Sequence, residues 1–345
     1  MTHATISRKP RLKIGLVGLG RLGKVYARDL STRLPETTLV AVADRDRDLA
    51  VQIARDFDVP HVHATSEELI ANPEVEAVVV VSPTHTHRDV VIESMKARKP
   101  TFCEKPLALT LDECRAIERA VAQSGSFFQM GFMRRFDPGY AAAKKRIEAG
   151  AIGRPVVFKS TSRDPFPPSL EYANPASSGG ILVDMGIHDI DLARWFMGEV
   201  DIVTAVGATL VYPELATVGD FDNAIATLVF ADGRLGVLDL TRNGIYGYDI
   251  STELLGSEGT IRIGYLRETA ILEMTKNSVA HDTVPYFMER FERAYALQLQ
   301  NFAQNVLNDR EPSITIRDGV EALRVALAAT ASCKGGHPVK VSSIQ

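Results

Sequence analysis

A chain of 345 residues, 45% of them hydrophobic, can bury a large core and is long enough for two domains. Its formal net charge of −4, with no Lys/Arg-rich block, disfavours nucleic acid and anionic membranes as partners and points to small-molecule chemistry. The polar start, Met1 to Arg11, is not followed by an apolar signal-peptide core, and the longest apolar run, Ala77 to Val81, is too short to span a bilayer. A cytoplasmic protein is therefore expected. Cys103, Cys114 and Cys333 lack C-x-x-C spacing, which argues for buried structural thiols rather than disulfides or a metal site.

Lys13 to Gly18 has the apolar density of a buried parallel strand and leads into Gly18-Leu19-Gly20-Arg21-Leu22-Gly23. In this G-x-G-x-x-G context Gly18 makes the tight turn, Gly20 lets the backbone approach a pyrophosphate, and Gly23 lets the following helix pack close to the strand. Arg21 and Leu22 lie on the same cofactor loop. A second strand, Leu39 to Ala43, ends at Asp44, where an acid meets ribose hydroxyls. Asp44 would repel a 2′-phosphate and favours NAD; Arg45, which can partner such a phosphate or stack on adenine, keeps NADP open.

The alternation continues through a helix over Arg47 to Phe57, a capping box at Thr65 to Glu68, and a buried strand from Glu76 to Val81 closed by Ser82-Pro83. His85 and His87, two apart on the next helix, do not face each other, so cofactor contact or helix capping suits them better than metal binding. Thr101 to Cys103 is a short strand delivering Glu104-Lys105-Pro106 at the carboxyl edge of the sheet, where ligands of open α/β sheets sit. Ser82, Pro83, His87, Glu104 and Lys105 thus join the expected cofactor set. Thr110 with Glu113 opens another helix, and Phe127 to Phe132 supplies a further strand.

Beyond Gly131 the pattern changes. Asp137-Pro138 reads as an N-cap and first helical residue, with the helix ending near Gly150. Strands then dominate: Pro155 to Ser162, Ile202 to Val211, Ala224 to Phe230, Leu235 to Thr241, Tyr248 to Leu255 and Thr260 to Gly264. Turns at Asp232-Gly233 and Ser257-Glu258-Gly259 imply hairpins and a mostly antiparallel sheet. Asp164 to Gly180, with four prolines, reads as a long irregular connection facing substrate or solvent. Gly179 to Asp191 reads as the start of one helix, on which Asp184 and His188, four apart, share a face. At that spacing a carboxylate can orient an imidazole for acid–base work. Met288 to Asn308 and Asp318 to Cys333 are amphipathic helices, one of them expected to pack back on the nucleotide domain.

Five segments together resemble the Gfo/Idh/MocA family of oxidoreductases, and within it the inositol 2-dehydrogenases. They are the glycine fingerprint, Glu104-Lys105-Pro106, Gly131-Phe132-Met133-Arg134-Arg135, Asp184-x-x-x-His188 with Asp191, and Tyr246-Gly247-Tyr248-Asp249-Ile250. The resemblance implies an α/β chain: a Rossmann domain over residues 1–132 and an α+β domain with a large open, mostly antiparallel sheet over 133–345, assembled as a homotetramer. It implies Lys105, Asp184 and His188 as the catalytic trio. A substrate set of Met133, Arg134, Asp164, Asp191, Tyr246 and Tyr248 around that trio follows in the same way. The implied reaction is NAD-dependent oxidation of a cyclic polyol without a metal. Where inositol dehydrogenases carry a His and an Asn before the irregular connection, this chain has Ser162, Arg163 and Asp164. That departure keeps a pyranose or aldose open as the substrate; a non-catalytic NAD-binding protein is the alternative of a different class, with NAD-assisted glycoside hydrolysis a third.

Overall fold

A computed structural model describes residues 10–345; the polar start falls outside the described residues except for its last two. The chain divides into two compact units. The first runs up to Lys105 and includes Asp112–Gly131 and Tyr295–Ile316; the second comprises Pro106–Leu111, Phe132–Ala294 and Arg317–Gln345.

The first unit is built on six parallel strands, β1 (Leu12–Val17), β2 (Thr37–Ala43), β3 (His61–His63), β4 (Ala77–Val80), β5 (Thr101–Glu104) and β6 (Phe128–Gly131), in the order β3-β2-β1-β4-β5-β6. The order reverses between β1 and β4, so the chain leaves these neighbours in opposite directions and opens a crevice at their carboxyl ends. Helices α1 (Arg21–Arg28), α2 (Arg47–Asp56), α3 (Ser66–Ala71), α4 (Thr84–Lys96) and α5 (Leu111–Ser124) link the strands. Thr65 caps α3 by accepting from the Glu68 amide at 3.2 Å, while the Glu68 carboxylate reaches back to the Ala64 amide at 3.0 Å. That is the expected capping box, with its return bond shifted by one residue.

The second unit has a seven-stranded sheet. Its strands are β7 (Pro155–Arg163), β8 (Val200–Ala208), β9 (Asn223–Phe230), β10 (Leu235–Thr241), β11 (Asp249–Gly256) and β12 (Thr260–Gly264), joined at one edge by a late strand, Val339–Lys340. They run β12-β11-β7-β10-β9-β8 with the late strand beside β8; only the β7–β10 pair is parallel. Alternation explains its two faces: Ala224, Ala226, Leu228 and Phe230 of β9 are buried, and Ile225 between them is exposed. On β7 the buried parity holds Phe158, Ser160 and Ser162, so a polar pair points inward where a core strand normally supplies apolar groups.

Helix α6 (Pro138–Glu148) starts as expected, with Asp137 accepting from the Gly139 and Tyr140 amides. The connection from Asp164 to Gly180 contains two short helical turns, α7 (Leu170–Ala173) and α8 (Pro175–Ser178), rather than continuous coil. The single helix expected from Gly179 onward is instead α9 (Ile181–Asp184) followed by α10 (Gly186–Met197), with Met185 between them. Both preceding glycines hold positive φ, +84° at Gly179 and +77° at Gly180, which turns the chain into α9. The penultimate helical pattern is likewise split, into α11 (Phe287–Arg290) and α12 (Glu292–Leu307), before the final long helix α13 (Ile316–Gly335).

Candidate active site

The glycine loop sits at the carboxyl end of β1. Gly18 adopts φ +94°, and a Cβ there would lie 2.5 Å from the Ser82 amide nitrogen. A Cβ on Gly23 would lie 2.2 Å from the Gly18 carbonyl, so α1 approaches the strand only without one. Gly20 differs, having ordinary φ of −60° and nothing within 4 Å of a Cβ position. Its missing side chain leaves open space over an exposed helix start whose N–H groups suit phosphate, and this fits a dinucleotide. Asp44, half-buried after β2, accepts from the Leu19 amide at 2.6 Å and the Asp46 amide at 2.9 Å, so it shapes the loop as well as facing the expected ribose position. Arg21 and Arg45 are exposed and Leu22 is half-buried.

Two residues expected among the cofactor contacts, His87 and Glu104, are buried. His87 is 1% exposed and donates from Nε2 to the Ser82 carbonyl at 2.8 Å, holding the turn after β4 that contains half-buried Ser82 and exposed Pro83. Glu104, also buried, accepts from Tyr26 Oη, from Gln298 Nε2 at 3.0 Å and from the Lys105 amide at 3.1 Å. Burial pushes its carboxyl above the usual range, against the hydrogen bond from Tyr26 and the nearby Lys105 charge. The Glu104 side chain therefore ties α1, α12 and the backbone before half-buried Lys105 into one cluster.

In the second unit, Asp184 ends α9 and His188 lies in the first turn of α10. Asp184 Oδ1 accepts from Tyr172 Oη at 2.8 Å, and its Oδ2 lies 3.9 Å from Arg242 Nη2. The same guanidinium nitrogen is 3.0 Å from Asp220 Oδ2. His188 is 9% exposed, with its ring edge-to-face to Phe132 at 6.5 Å.

Arg134 and Asp191, expected at the substrate, are closed into ion pairs. Arg134 is 2% exposed and donates to Asp189 at 2.7 Å and to Ser162 at 3.1 Å. Although burial opposes its charge, Asp189 holds its guanidinium above the ordinary arginine range. Asp191 is gripped by Arg135 through two bonds of 2.9 and 2.5 Å, and Arg135 also reaches Asp318 at 2.9 Å. Met133 is buried. Tyr248, buried beside Tyr286 and Phe291, has its hydroxyl pushed well up by burial and then by the Asp164 charge. Tyr246 is exposed, donating to Asp249 at 2.9 Å and accepting from Arg163 at 3.1 Å. Half-buried Asp164 is fixed through its backbone to Thr241 and Gly244.

Residue-by-residue reading of the sequence missed Asp189, Asp220, Arg242 and Tyr172. Asp189 carries the one usable signal, since a core-facing acid needs partners, and Arg134 and Ser162 supply them. Arg242 and Asp220 lie in loops between strands, without periodicity to mark them. Among the described residues no group of three or more His, Cys, Asp or Glu could hold a metal ion.

Two family descriptions match this chain: "Oxidoreductase family, NAD-binding Rossmann fold" over residues 12–132 and "Oxidoreductase family, C-terminal alpha/beta domain" over residues 144–341. The chain belongs to the Gfo/Idh/MocA oxidoreductase family. Within this family it is 39% identical over 332 residues to the scyllo-inositol 2-dehydrogenase (NAD(+)) of Bacillus subtilis, covering 96% of each chain. It is 38% identical to the myo-inositol 2-dehydrogenase of Thermotoga maritima, over 96% of this chain and 99% of that one. Among solved structures, the scyllo-inositol dehydrogenase of Lactobacillus casei with bound NAD(H) and scyllo-inositol aligns with a TM-score of 0.92 at 32% identity, over 96% of this chain and 99% of that one. The Gfo/Idh/MocA expectation of a Rossmann domain followed by a mostly antiparallel sheet domain is met in both parts. Its NAD-binding character agrees with the open space at Gly20.

Proposed function

We propose that this protein oxidises a secondary alcohol of a cyclic polyol, myo- or scyllo-inositol, to the ketone, reversibly and with NAD. The observation that carries the reading is Asp184, held by Tyr172 and Arg242 at the end of α9, four residues before a buried His188 in α10, in a chain that resembles inositol dehydrogenases over almost its full length. Bound NAD supplies the hydride acceptor. His188 takes the hydroxyl proton as general base, a role an imidazole fills near neutral pH. Asp184 orients that imidazole and stabilises its charged form. Lys105 donates to the reacting oxygen, stabilising developing alkoxide charge. Gly18, Gly20 and Gly23 admit the pyrophosphate, and Asp44 receives the ribose.

A pyranose or aldose is the second reading, favoured by the segment Ser162 to Asp164, where Ser162 is committed to Asp189 and Arg163 to Asp239 at 2.6 Å. The protein works in the cytoplasm as a homotetramer joined through the open sheet face; among the described residues no helix is long and apolar enough to cross a membrane. A panel of myo-inositol, scyllo-inositol and hexoses with NAD and NADP tests the reading, with an inositol and NAD expected to give the highest kcat/KM. His188→Ala is expected to lose roughly 10² to 10⁴ in kcat. A hexose preference, or near-normal turnover by His188→Ala and Lys105→Ala, would overturn it.

A further inference from the structure

Arg242 follows β10 and is anchored by its own amide, which donates to the Asp222 carbonyl at 2.8 Å. Its side chain is 2% exposed, a costly place for a guanidinium unless a charge role requires it. Among the described residues neither Nε nor Nη2 makes a hydrogen bond of good geometry, although Nη2 lies 3.0 Å from Asp220 and 3.9 Å from Asp184. The guanidinium is thus shared as a charge between two carboxylates rather than forked onto one. Asp220, 3% exposed, uses its other oxygen to accept from the Ile181 amide at 2.9 Å, capping the helix that ends in Asp184. One buried unit therefore connects the start of α9, its last carboxylate and the strand pair β9–β10.

We infer that Arg242 is a positioning residue for the proposed Asp184–His188 pair: by standing between Asp184 and Asp220 it keeps Asp184 an acceptor able to orient the imidazole. The inference rests on the catalytic reading above. Within the second unit Tyr172 of α7 donates to this carboxylate, Arg242 from the end of β10 and Asp220 from before β9 share its charge, and His188 follows it four residues on, in α10. Asp222, nearby in sequence, is turned instead to the amides of Leu210, Val211 and Tyr212. Burial raises the Asp220 carboxyl, Arg242 opposes this, and the Asp184 charge adds to it, which is the behaviour of two acids sharing one cation.

The experiment is the pH profile of kcat for Arg242→Met, Arg242→Lys, Asp220→Asn and Asp184→Asn, with circular dichroism to verify folding and the KM for NAD as control. Arg242→Met leaves two carboxylates facing each other and favours a shared proton, so the acid limb moves to higher pH and kcat at the acid end falls roughly tenfold. Arg242→Lys restores part of the loss. Asp220→Asn keeps an acceptor for the Ile181 amide while removing the competing charge, and moves the limb the other way. A purely structural arginine would lower kcat equally at every pH. Parent-like profiles in Arg242→Met and Asp220→Asn, with Asp184→Asn inactive, overturn the inference alone; full activity in Asp184→Asn overturns the catalytic reading with it. If Arg242→Met does not fold, Asp220→Asn decides: an acid-limb shift to lower pH supports the inference and a parent profile overturns it.

Discussion

At Asp44 one carboxylate meets two demands, accepting the Leu19 and Asp46 amides and presenting negative charge where the ribose is expected. An ionised carboxylate has about four acceptor sites, so the two roles are compatible. Asp44→Asn keeps the bond from the Leu19 amide through its single amide oxygen, gives up the one from Asp46, and removes the charge that repels a 2′-phosphate. The ratio of kcat/KM for NAD over NADP is expected to fall roughly tenfold, measured with the best polyol of the panel. An unchanged ratio would move cofactor choice to Arg45 or beyond. The glycines and Asp44 were legible as residues because their backbone roles are local and fixed by spacing. Arg134, Asp191 and Glu104 were legible as important while their partners Asp189, Arg135 and Tyr26 were not, since these lie at separations that no local pattern encodes.

Among elements, the connection from β8 to β9 shows how a single acid holds a loop. Asp222 accepts from the Leu210, Val211 and Tyr212 amides at 2.6 to 3.0 Å, three donors that would otherwise lack partners after β8 ends. Burial disfavours its charged form, yet these donors together outweigh burial and hold its carboxyl below the usual carboxylate value. A depressed folded pKa contributes stability that is present above the unfolded value near about 4 and lost as pH falls through the folded one. Asp222→Asn turns an amide donor toward those N–H groups and should cost about 1–3 kcal/mol in urea unfolding at pH 7. The gap between variant and parent should narrow as pH falls below about 4; a constant gap would show that packing, not charge, is at stake. The strands and hairpins around this loop could be read from alternation and turn residues. His61–His63 and Val339–Lys340 could not, because two or three residues carry no period and both depend on a neighbouring strand edge. The break at Met185 was hidden for a related reason: apolar spacing runs unbroken across it, while the His188 amide bonds back to Met185 at 3.4 Å, three residues away.

For the whole molecule, the open face of the seven-stranded sheet bears on assembly. Val206 of β8 and Ile225 of β9 are directly paired in the antiparallel register and are 65% and 51% exposed, with Leu235 of β10 exposed as well. Apolar side chains exposed on a sheet face are costly to leave in water and are the kind of surface that a second copy covers. Toward β11 and β12 the same face is more charged, with Lys159 and Arg262 both near Glu253 at 3.4 and 3.1 Å. If the proposed tetramer forms through this face, Ile225→Glu puts two carboxylates into each two-fold contact, where burial without a cation is strongly unfavourable. The expected outcome by light scattering after size exclusion is a fall from tetramer mass to dimer or monomer. NADH affinity by fluorescence titration should persist, because the glycine loop belongs to the other compact unit. A variant that keeps the parent's mass would place the assembly contact away from this face, and Val206 and Ile225 would then be an apolar patch awaiting another explanation.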